Sequence, residues 1–373
     1  MKKIIVLIVI LLIGAGIGFA WYKISKPTVE ETPTESEEIA EKEKFQKKDK
    51  LPKAEEEEEI IIEDDEPQTY TIFSMNVHDW VFVENSIETL HKVIDIHEKY
   101  QVPVDIYLTD PTYQLYLELD ESLMDRFKTS EMVAISYHVR PPAIFYPDFK
   151  EKLVENLSDE EKYDLMLDHE ENRLDLVTGE PGDEPGGYQY LKELMGYPPL
   201  TVGLVTGKLI GDAASQVYTE KGAIFAVVHG RESILGDMSN DLYKRPENIE
   251  IKLYEYAKMG NTESAEEIIT ERLEEYTGTG DIYIGLKYHE NNFYTVGGTP
   301  WWPVFFEDSS KTIAKDPPYD LTAYEGLTSV GPIERQNNHW ALYEDTVAYI
   351  ADNRGTFNPI NMFDVAEMLE DIK

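Results

Sequence analysis

The sequence predicts an α/β fold with parallel strands, most simply a single (β/α) barrel over residues 69–373. Short apolar, β-favouring runs alternate with longer segments of helical periodicity, an order typical of parallel strands joined by helices. About 300 residues also suit one large barrel, because such domains commonly reach ~250 residues or more. A third observation is that histidine-bearing polar clusters follow several of the predicted strands.

The predicted elements follow one another at spacings that suit this fold. A first strand at 69–76 is followed by a helix whose apolar residues recur every three or four positions up to Tyr100. Pro103 and the Asp110-Pro111 pair mark the ends of a second strand. A stretch rich in Gly and Pro interrupts the alternation from 180 to 199. The remaining elements are predicted as helix 112–127, strand 132–137, strand 200–206, helix 213–221, strand 223–228, helix 265–276, strand 281–287, helix 340–352, strand 357–359 and a last helix from Met362.

Residues 1–23 are predicted to be a signal anchor or a signal peptide. An unbroken apolar run from 4 to 22 follows two lysines and is long enough to span a bilayer core of about 30 Å as a helix. Basic residues ahead of the run favour a cytoplasmic N-terminus, so the rest of the chain is expected outside the cytoplasm. The length of the run and Trp21 favour a single-pass membrane anchor, whereas the small residues Gly18 and Ala20 leave cleavage and secretion open.

Residues 24–68 are predicted to be a disordered acidic linker, since they are rich in Glu, Lys, Pro and Thr and have too few apolar residues to form a core. The whole chain has 73 acidic against 34 basic residues, a formal net charge of −39. Such a surface repels phosphate backbones, so we expect no nucleic-acid partner. The absence of cysteine excludes disulfides and a lipid-modified N-terminal cysteine.

Four of the eight histidines follow predicted strands, namely His78, His138, His229 and His289. Because parallel strands of a barrel end at one mouth, we expect these imidazoles to gather there together with Asp79 or Glu290. Imidazoles and carboxylates are the ligands that zinc and similar divalent metals prefer. The alternative interpretation is that each histidine is a hydrogen-bonded loop residue. The other four are predicted to pack, cap or lie at the surface: His91, His97, His169 and His339.

The order of these motifs resembles the polysaccharide deacetylase family, also called the NodB homology family, of which the chain looks like a divergent member. The resemblance is clearest over 69–146 and is carried by the segment FSMNVHDW that ends at Trp80, by the strand at 104–109 and by the strand at 133–138. It implies an irregular (β/α) barrel of the glycoside hydrolase/deacetylase type. It also implies metal-dependent deacetylation of a carbohydrate.

The resemblance further implies a site with a divalent metal, zinc being the first choice, bound by Asp79, His138 and His289. Two positions depart from the family pattern. His78 stands where the family has its catalytic base aspartate, and Pro142 stands where its second metal-binding histidine is expected. We therefore assign His78 as the base and His289 as the replacement ligand. Glu290 is a candidate catalytic carboxylate beside them.

The residues predicted to bind substrate are Arg140 and four aromatic residues, whose rings suit stacking on sugars: Trp80, Tyr294, Trp301 and Trp302. The leading hypothesis is an extracytoplasmic, metal-dependent, deacetylase-like hydrolase acting on a cell-wall or extracellular glycan. Two alternatives stay open at this point. One is a catalytically inactive glycan-binding surface protein on the same barrel, and the other is a carboxylate-dependent glycosidase that uses Asp79 and Glu290.

Overall fold

The structure is a computed structural model, and it places most of the region after the acidic linker. The predicted anchor at 1–23, nearly all of the linker at 24–68, and both His229 and Trp301 lie outside the described residues. Within the described part, no helix is both long and apolar enough to cross a membrane. The described residues are 66–110, 112–144, 146, 149–150, 153–203, 211–227, 232–258, 260, 263–297, 302–321, 323 and 328–372.

The main sheet has ten strands and is parallel at every pairing except one. Its strands run in the order β6-β7-β5-β4-β3-β2-β1-β9-β8, with β12 also paired to β1 and only β6 and β7 antiparallel. A separate antiparallel pair is formed by β10 and β11. The strands are β1 Thr69–Val77, β2 Val104–Leu108, β3 Val133–His138, β4 Thr201–Gly203, β5 Phe225–Ala226, β6 Met238–Ser239, β7 Leu242–Lys244, β8 Ile249–Lys252, β9 Ile282–His289, β10 Thr295–Gly297, β11 Thr328–Val330 and β12 Asn358–Pro359.

Helices alternate with the strands through most of the described chain. Three of them begin with a capping box, in which the side chain of Ser158, Ser264 or Asn361 accepts from the third helical N–H and a carboxylate reaches back. The helices are α1 Val83–Tyr100, α2 Thr112–Leu119, α3 Glu121–Thr129, α4 Asp159–Glu171, α5 Gly187–Met195, α6 Gly211–Lys221, α7 Leu253–Lys258, α8 Ala265–Glu275, α9 Trp302–Phe305, α10 Ile333–Asp352 and α11 Met362–Asp371.

The sheet curls because its two ends are joined by a very short connection. β7 and β8 lie at opposite ends of a row of eight neighbouring strands, yet only residues 245–248 separate them in the chain. A flat row of eight strands is about 34 Å wide at ~4.8 Å per strand. The connection from Lys244 to Ile249 reaches at most about 18 Å. The row must therefore bend until its ends approach each other, which gives a curled, open barrel-like sheet.

The two faces of the curled sheet differ sharply in polarity. Alternate residues of β1, β2, β3 and β9 belong to the main apolar core, and helices cover this outer face. The intervening residues face the inside of the curl, where Ser74, Asp105 and Lys287 occupy one level and Asn76, Tyr107, Ser136 and His289 the next. The inside is therefore a polar lumen, and its lower end is closed by a small apolar cluster that includes Ile72, Tyr283 and the α11 residues Met362 and Val365.

The prediction of alternating strands and helices agrees with the structure, but several bounds differ. The predicted helix 112–127 is two helices, because the Asp120 side chain accepts the Ser122 N–H and caps a second one. The described parts of two predicted strands are short, with β4 at Thr201–Gly203 and β5 at Phe225–Ala226. The barrel prediction needs one correction. Among the described residues, the end strands β6 and β8 do not pair with each other, so the sheet is curled but not closed.

His97 ties helix α1 to helix α10 in the outer core. Its side chain is fully buried, Nδ1–H donates to the Val102 carbonyl at 2.7 Å, and Nε2 accepts from the Tyr343 hydroxyl at 2.8 Å. Burial lowers the pKa of His97 to about 4. The predicted packing role thus agrees with the structure, and the ring must stay neutral to keep both contacts.

We expect His97 to make the free energy of unfolding depend on pH. Since its pKa is about 4 in the folded chain and about 6.5 when unfolded, the unfolded state binds the extra proton, so stability falls as the pH drops from about 6.5 to 4. The effect is on the order of 3 kcal/mol. Urea unfolding at several pH values should show that His97→Gln lacks this loss, whereas Tyr343→Phe, which keeps the imidazole, retains most of it. Equal pH dependence in the native chain and His97→Gln would contradict the assignment.

Candidate active site

Three histidines meet at the carboxyl ends of neighbouring strands. His78 directly follows β1, His138 ends β3 and His289 ends β9, so the parallel arrangement brings all three to the same mouth. The ring centroids of His78 and His289 are 5.1 Å apart, and those of His78 and His138 are 6.4 Å apart. The structure therefore brings together the three strand-end imidazoles that lie among its described residues.

The imidazoles of His78 and His138 are buried and largely unsatisfied. They are 1% and 2% exposed, and neither nitrogen of His78 nor the Nε2 of His138 has a hydrogen-bond partner in the described part of the chain. Nδ1 of His138 lies 3.3 Å from the Gly203 carbonyl, which places its proton there and leaves a lone pair on Nε2. Burial first, and then the charges of His289 and Arg140, hold the pKa of His78 well below its usual value. Burial is also the chief reason why the pKa of His138 lies well below its usual value. Both rings are therefore neutral near pH 7.

The carboxyl groups of Glu290 and Asp79 make hydrogen bonds that hold the loops after β1 and β9. Oε1 of Glu290 accepts the backbone N–H groups of His78 at 2.7 Å and Asp79 at 2.6 Å. Oδ1 of Asp79 accepts the Val81 N–H at 2.8 Å, and Oδ2 accepts the Tyr294 hydroxyl at 2.9 Å. Both carboxyls are completely buried. These hydrogen bonds fix the backbone at His78 and thereby position the loop that carries it.

Burial also raises the pKa of both carboxyl groups. It raises the pKa of Glu290 to about 8, with a further contribution from the neighbouring Asp79, against the opposing effect of the backbone N–H groups. Burial likewise raises the pKa of Asp79. Glu290 is therefore mostly protonated at neutral pH, and its Oε2 has no partner among the described residues. The glycosidase alternative required Asp79 and Glu290 to act on a substrate, and the structure instead engages them with the protein backbone and Tyr294.

The predicted metal ligands do not fit a metal site as they are arranged. Both oxygens of Asp79 are already hydrogen-bonded to Val81 and Tyr294 and point into the loop. In the part of the chain that the structure places, no group of three His, Asp or Glu side chains is positioned to hold one ion. The orphaned nitrogens at the mouth belong to His78 and His138. Asp79 is thus engaged with the β1 loop, and the set of Asp79, His138 and His289 stays a prediction that this arrangement of Asp79 does not support.

The aromatic residues predicted to stack on sugars are mostly part of the core. Trp80 is 5% exposed and meets Phe305 edge to face at 6.2 Å, and Tyr294 is 3% exposed behind Asp79. Neither offers a ring face to a ligand, contrary to the prediction. Trp302 is half-buried against the same core on α9. Arg140 lies near the mouth as predicted, with its guanidinium 5.4 Å from the Tyr146 ring centroid and donating to the Val139 carbonyl at 3.0 Å.

The lumen beneath the histidines contains charged residues that the sequence reasoning missed. Arg245 bonds to Ser74 and Glu247, and Lys287 donates to Glu247 at 2.8 Å and to Glu250 at 2.7 Å. A cavity of about 10 Å³, enough for one water, lies between this network and His138. The sequence could have indicated a polar inner face, because the polar residues Ser74, Asn76 and His78 alternate along β1 and therefore lie on one face.

Similarity to known proteins is distant. No family model matches the chain, and no curated protein matches it. Solved structures with detectable similarity include a 4-alpha-glucanotransferase from Thermococcus litoralis, at 12% identity and TM-score 0.43, covering 81% of this chain and 40% of that one. Peptidoglycan deacetylase PdaC from Bacillus subtilis has 11% identity and TM-score 0.36, with 82% and 92% covered. A putative polysaccharide deacetylase from Mycobacterium smegmatis has 9% identity and TM-score 0.41, with 83% and 92% covered.

These matches include polysaccharide deacetylases, the family that the motifs of this chain resemble. The chain spans less than half of the glucanotransferase and most of the length of the two deacetylase structures. Identities of 12% or less and TM-scores below 0.5 assign no activity to this chain. The chemistry of the site must therefore be argued from its own residues.

We expect Glu290→Gln to become more stable relative to the native chain as the pH rises. The folded-state pKa of about 8 lies above the ordinary 4.5, so this carboxyl contributes stability below pH 4.5 that is lost as the pH rises toward 8. The loss is on the order of 5 kcal/mol. Glutamine keeps an oxygen for the two N–H groups but carries no charge, and urea unfolding at pH 5 and pH 8 measures the difference.

Glu290→Ala provides the matched comparison for this prediction. It removes the acceptor and leaves the backbone N–H groups of His78 and Asp79 unsatisfied, so it should be destabilised at both pH values. A glutamine variant that differs from the native chain by the same margin at pH 5 and pH 8 would contradict the assignment of a mostly protonated Glu290.

Proposed function

We propose that this chain is an extracytoplasmic hydrolase of the deacetylase type that acts on a cell-wall or extracellular glycan. The observation that carries the proposal is the imidazole cluster at the mouth of the curled sheet. His78 and His138 have buried nitrogens without partners in the described structure, and their lowered pKa keeps the rings neutral. A neutral imidazole nitrogen of this kind can accept a proton from an attacking water.

The proposed reaction is hydrolysis of an N-acetyl or O-acetyl group. His78 takes a proton from water, and the oxygen of that water bonds to the acetyl carbon to give a tetrahedral oxyanion. The bond to the sugar nitrogen or oxygen then breaks, the imidazolium returns the proton to that atom, and acetate leaves. Arg140 is close enough for its charge to lower the pKa of both His78 and His138, so it is the residue proposed to stabilise the oxyanion.

The resemblance to deacetylases also implies a divalent metal, with zinc the first choice, but we assign no step to it. The ligand set that the resemblance implies does not fit the hydrogen bonds of Asp79. The proposal instead uses the imidazoles for proton transfer and Arg140 as a cation, since its pKa is lowered by burial only to about 10 and it is still charged at neutral pH.

A catalytically inactive glycan-binding protein is the second candidate. Pro142 stands where the family pattern has a metal-binding histidine, and Asp79 is hydrogen-bonded to its own loop. Both observations favour a protein that keeps the fold but has lost the catalytic activity. This candidate predicts glycan binding without release of acetate, so product analysis separates the two.

For the catalytic proposal, we expect His78→Ala to reduce acetate release by about 10²- to 10⁴-fold, the usual range for losing a general base. The assay uses the full chain in detergent with N-acetylglucosamine oligomers and acetylated xylan, with and without added zinc. His91→Ala is the control, since its ring lies on α1 against Asp120 at 2.9 Å, away from the mouth. Because the pKa of His78 is lowered, the acid limb of kcat/KM should lie below about pH 6.5.

Two results would decide against the hydrolase. Native chain that binds these oligomers but releases no acetate under either metal condition would favour the glycan-binding candidate. Full activity in His78→Ala would reject His78 as the base and leave His138 to be tested in the same way.

We further propose that the apolar run at 4–22 tethers the protein to the cell membrane with its C-terminal domain outside the cytoplasm. Protease added to intact cells should then release a soluble fragment cut within 24–68, where the acidic composition predicts unprotected backbone. A mature chain whose N-terminus begins near Trp21 would show instead that the run is a cleaved signal peptide. Resistance of the domain in intact cells, with release only after lysis, would reject the external location.

A further inference from the structure

A second cleft lies on the same edge of the sheet as the histidine cluster. It has a volume of about 240 Å³. Asp110, two residues after β2, and Pro142, four residues after β3, form part of its wall. The opposite wall comes from residues 173–184, at the start of the Gly- and Pro-rich stretch that interrupts the strand and helix alternation. Since parallel strands end at one edge of the sheet, the cleft opens on the same edge as the proposed active site.

One end of the cleft carries a hydrogen-bonding pair. Asp110 is 2% exposed, and its Oδ1 lies 3.4 Å from Arg173 Nη1 and 3.3 Å from Gln114 Nε2. A bidentate-capable guanidinium next to a buried carboxylate presents both donors and acceptors, which suits vicinal hydroxyl groups.

The floor of the cleft is apolar and its rim is acidic. Pro142 and Leu174 are buried, and three further leucines are half-buried along the walls. Such a surface fits the apolar face of a sugar ring. Four of the lining carboxylates are exposed at the rim, and with Asp110 they face a single basic residue, Arg173: Glu118, Asp175, Asp183 and Glu184.

A smaller cavity that contains a buried histidine nitrogen shares part of the polar end of the cleft. This cavity of about 10 Å³ shares Asp110, Pro142 and Arg173 with the cleft and is also lined by His169 and Glu170. His169 is 9% exposed, and its Nδ1 is buried without a hydrogen-bond partner in the described chain. This atom points to a ligand or an ordered water at the inner end, independently of the acidic rim.

We propose that this cleft binds a cationic amino-sugar unit of the glycan, next to the unit that reacts at the histidines. The apolar floor and the Asp110–Arg173 pair suit a sugar ring, and the excess of carboxylates attracts an ammonium group while repelling uronates and phosphates. The inference rests on the proposed function. N-deacetylation adds water to a neutral amide and yields acetate and an amine that takes up a proton, so the favoured substrate is a chain already carrying free amino groups.

The test compares oligomers that differ only in charge. Isothermal titration of the full chain in detergent should show tighter binding of a glucosamine hexamer than of an N-acetylglucosamine hexamer, and no binding of a galacturonate hexamer. The rim variant Glu118→Gln/Asp183→Asn/Glu184→Gln should weaken binding of the glucosamine hexamer about tenfold and leave the N-acetyl hexamer nearly unchanged. These three side chains have no hydrogen bond or ion pair described in the fold, so the variant should fold normally.

A matched control separates the cleft from the general negative charge of the surface. Glu266→Gln/Glu271→Gln/Glu274→Gln removes the same charge from the exposed face of α8, and it should leave glucosamine binding unchanged. An equal loss in this control would overturn the proposal, because it would assign the binding to overall charge. Binding of a lysine hexamer as tight as that of the glucosamine hexamer would also overturn it, because the cleft would then recognise cations and not sugars.

The outcomes of this test distinguish a failure of the cleft proposal from a failure of the proposed hydrolase. Acetate release that depends on His78, together with equal affinity for the two hexamers, would reject the cleft alone. Preferential glucosamine binding that the rim variant weakens, in a chain that releases no acetate, would support the cleft and reject the hydrolase.

Discussion

The four-residue connection between β7 and β8 is the constraint on which the rest of the structure depends. It joins strands at opposite ends of an eight-strand row, so the sheet has to curl and enclose a lumen. Once the lumen exists, every second residue of β1, β2, β3 and β9 faces it. The carboxyl ends of these strands then converge, and the ring centroid of His78 lies 6.4 Å from that of His138 and 5.1 Å from that of His289.

The charged side chains buried in the polar lumen need hydrogen-bond or ion-pair partners. Arg245, which begins the short connection, reaches Ser74 on β1, and Lys287 on β9 is held between Glu247 and Glu250. Removing one member would leave a buried charge without its partner, which typically costs about 3–5 kcal/mol. The network therefore links both ends of the curled sheet to its centre. Directly above it, both nitrogens of His78 and the Nε2 of His138 have no hydrogen-bond partner among the described residues, and this contrast supports the proposal that the mouth is the reactive site.

Asp79 and Glu290 show how residues beside a site can serve its geometry. Both follow strand-end histidines in the sequence, which made them candidates for ligands or catalytic carboxylates. In the structure their oxygens hold backbone N–H groups and the Tyr294 hydroxyl, and thereby fix the position of His78. Trp80 and Tyr294 are comparable cases, because an aromatic residue near a strand end can fill the core under a loop as readily as it can stack on a sugar.

The sequence by itself determined the alternation of strands and helices and the placement of His78, His138 and His289 at strand ends, because these depend on local periodicity and on the common direction of parallel strands. It did not determine which side-chain atoms remain available. The occupation of Asp79, the raised pKa of Glu290 and the burial of Trp80 arise from contacts with residues more than 200 positions away, such as Tyr294 and Phe305. The cleft formed by Asp110 and Arg173 likewise joins a strand end to a distant irregular stretch. Only the tertiary structure could decide these points, since hydrogen bonding and burial depend on neighbours in space, whereas periodicity depends on neighbours in the chain.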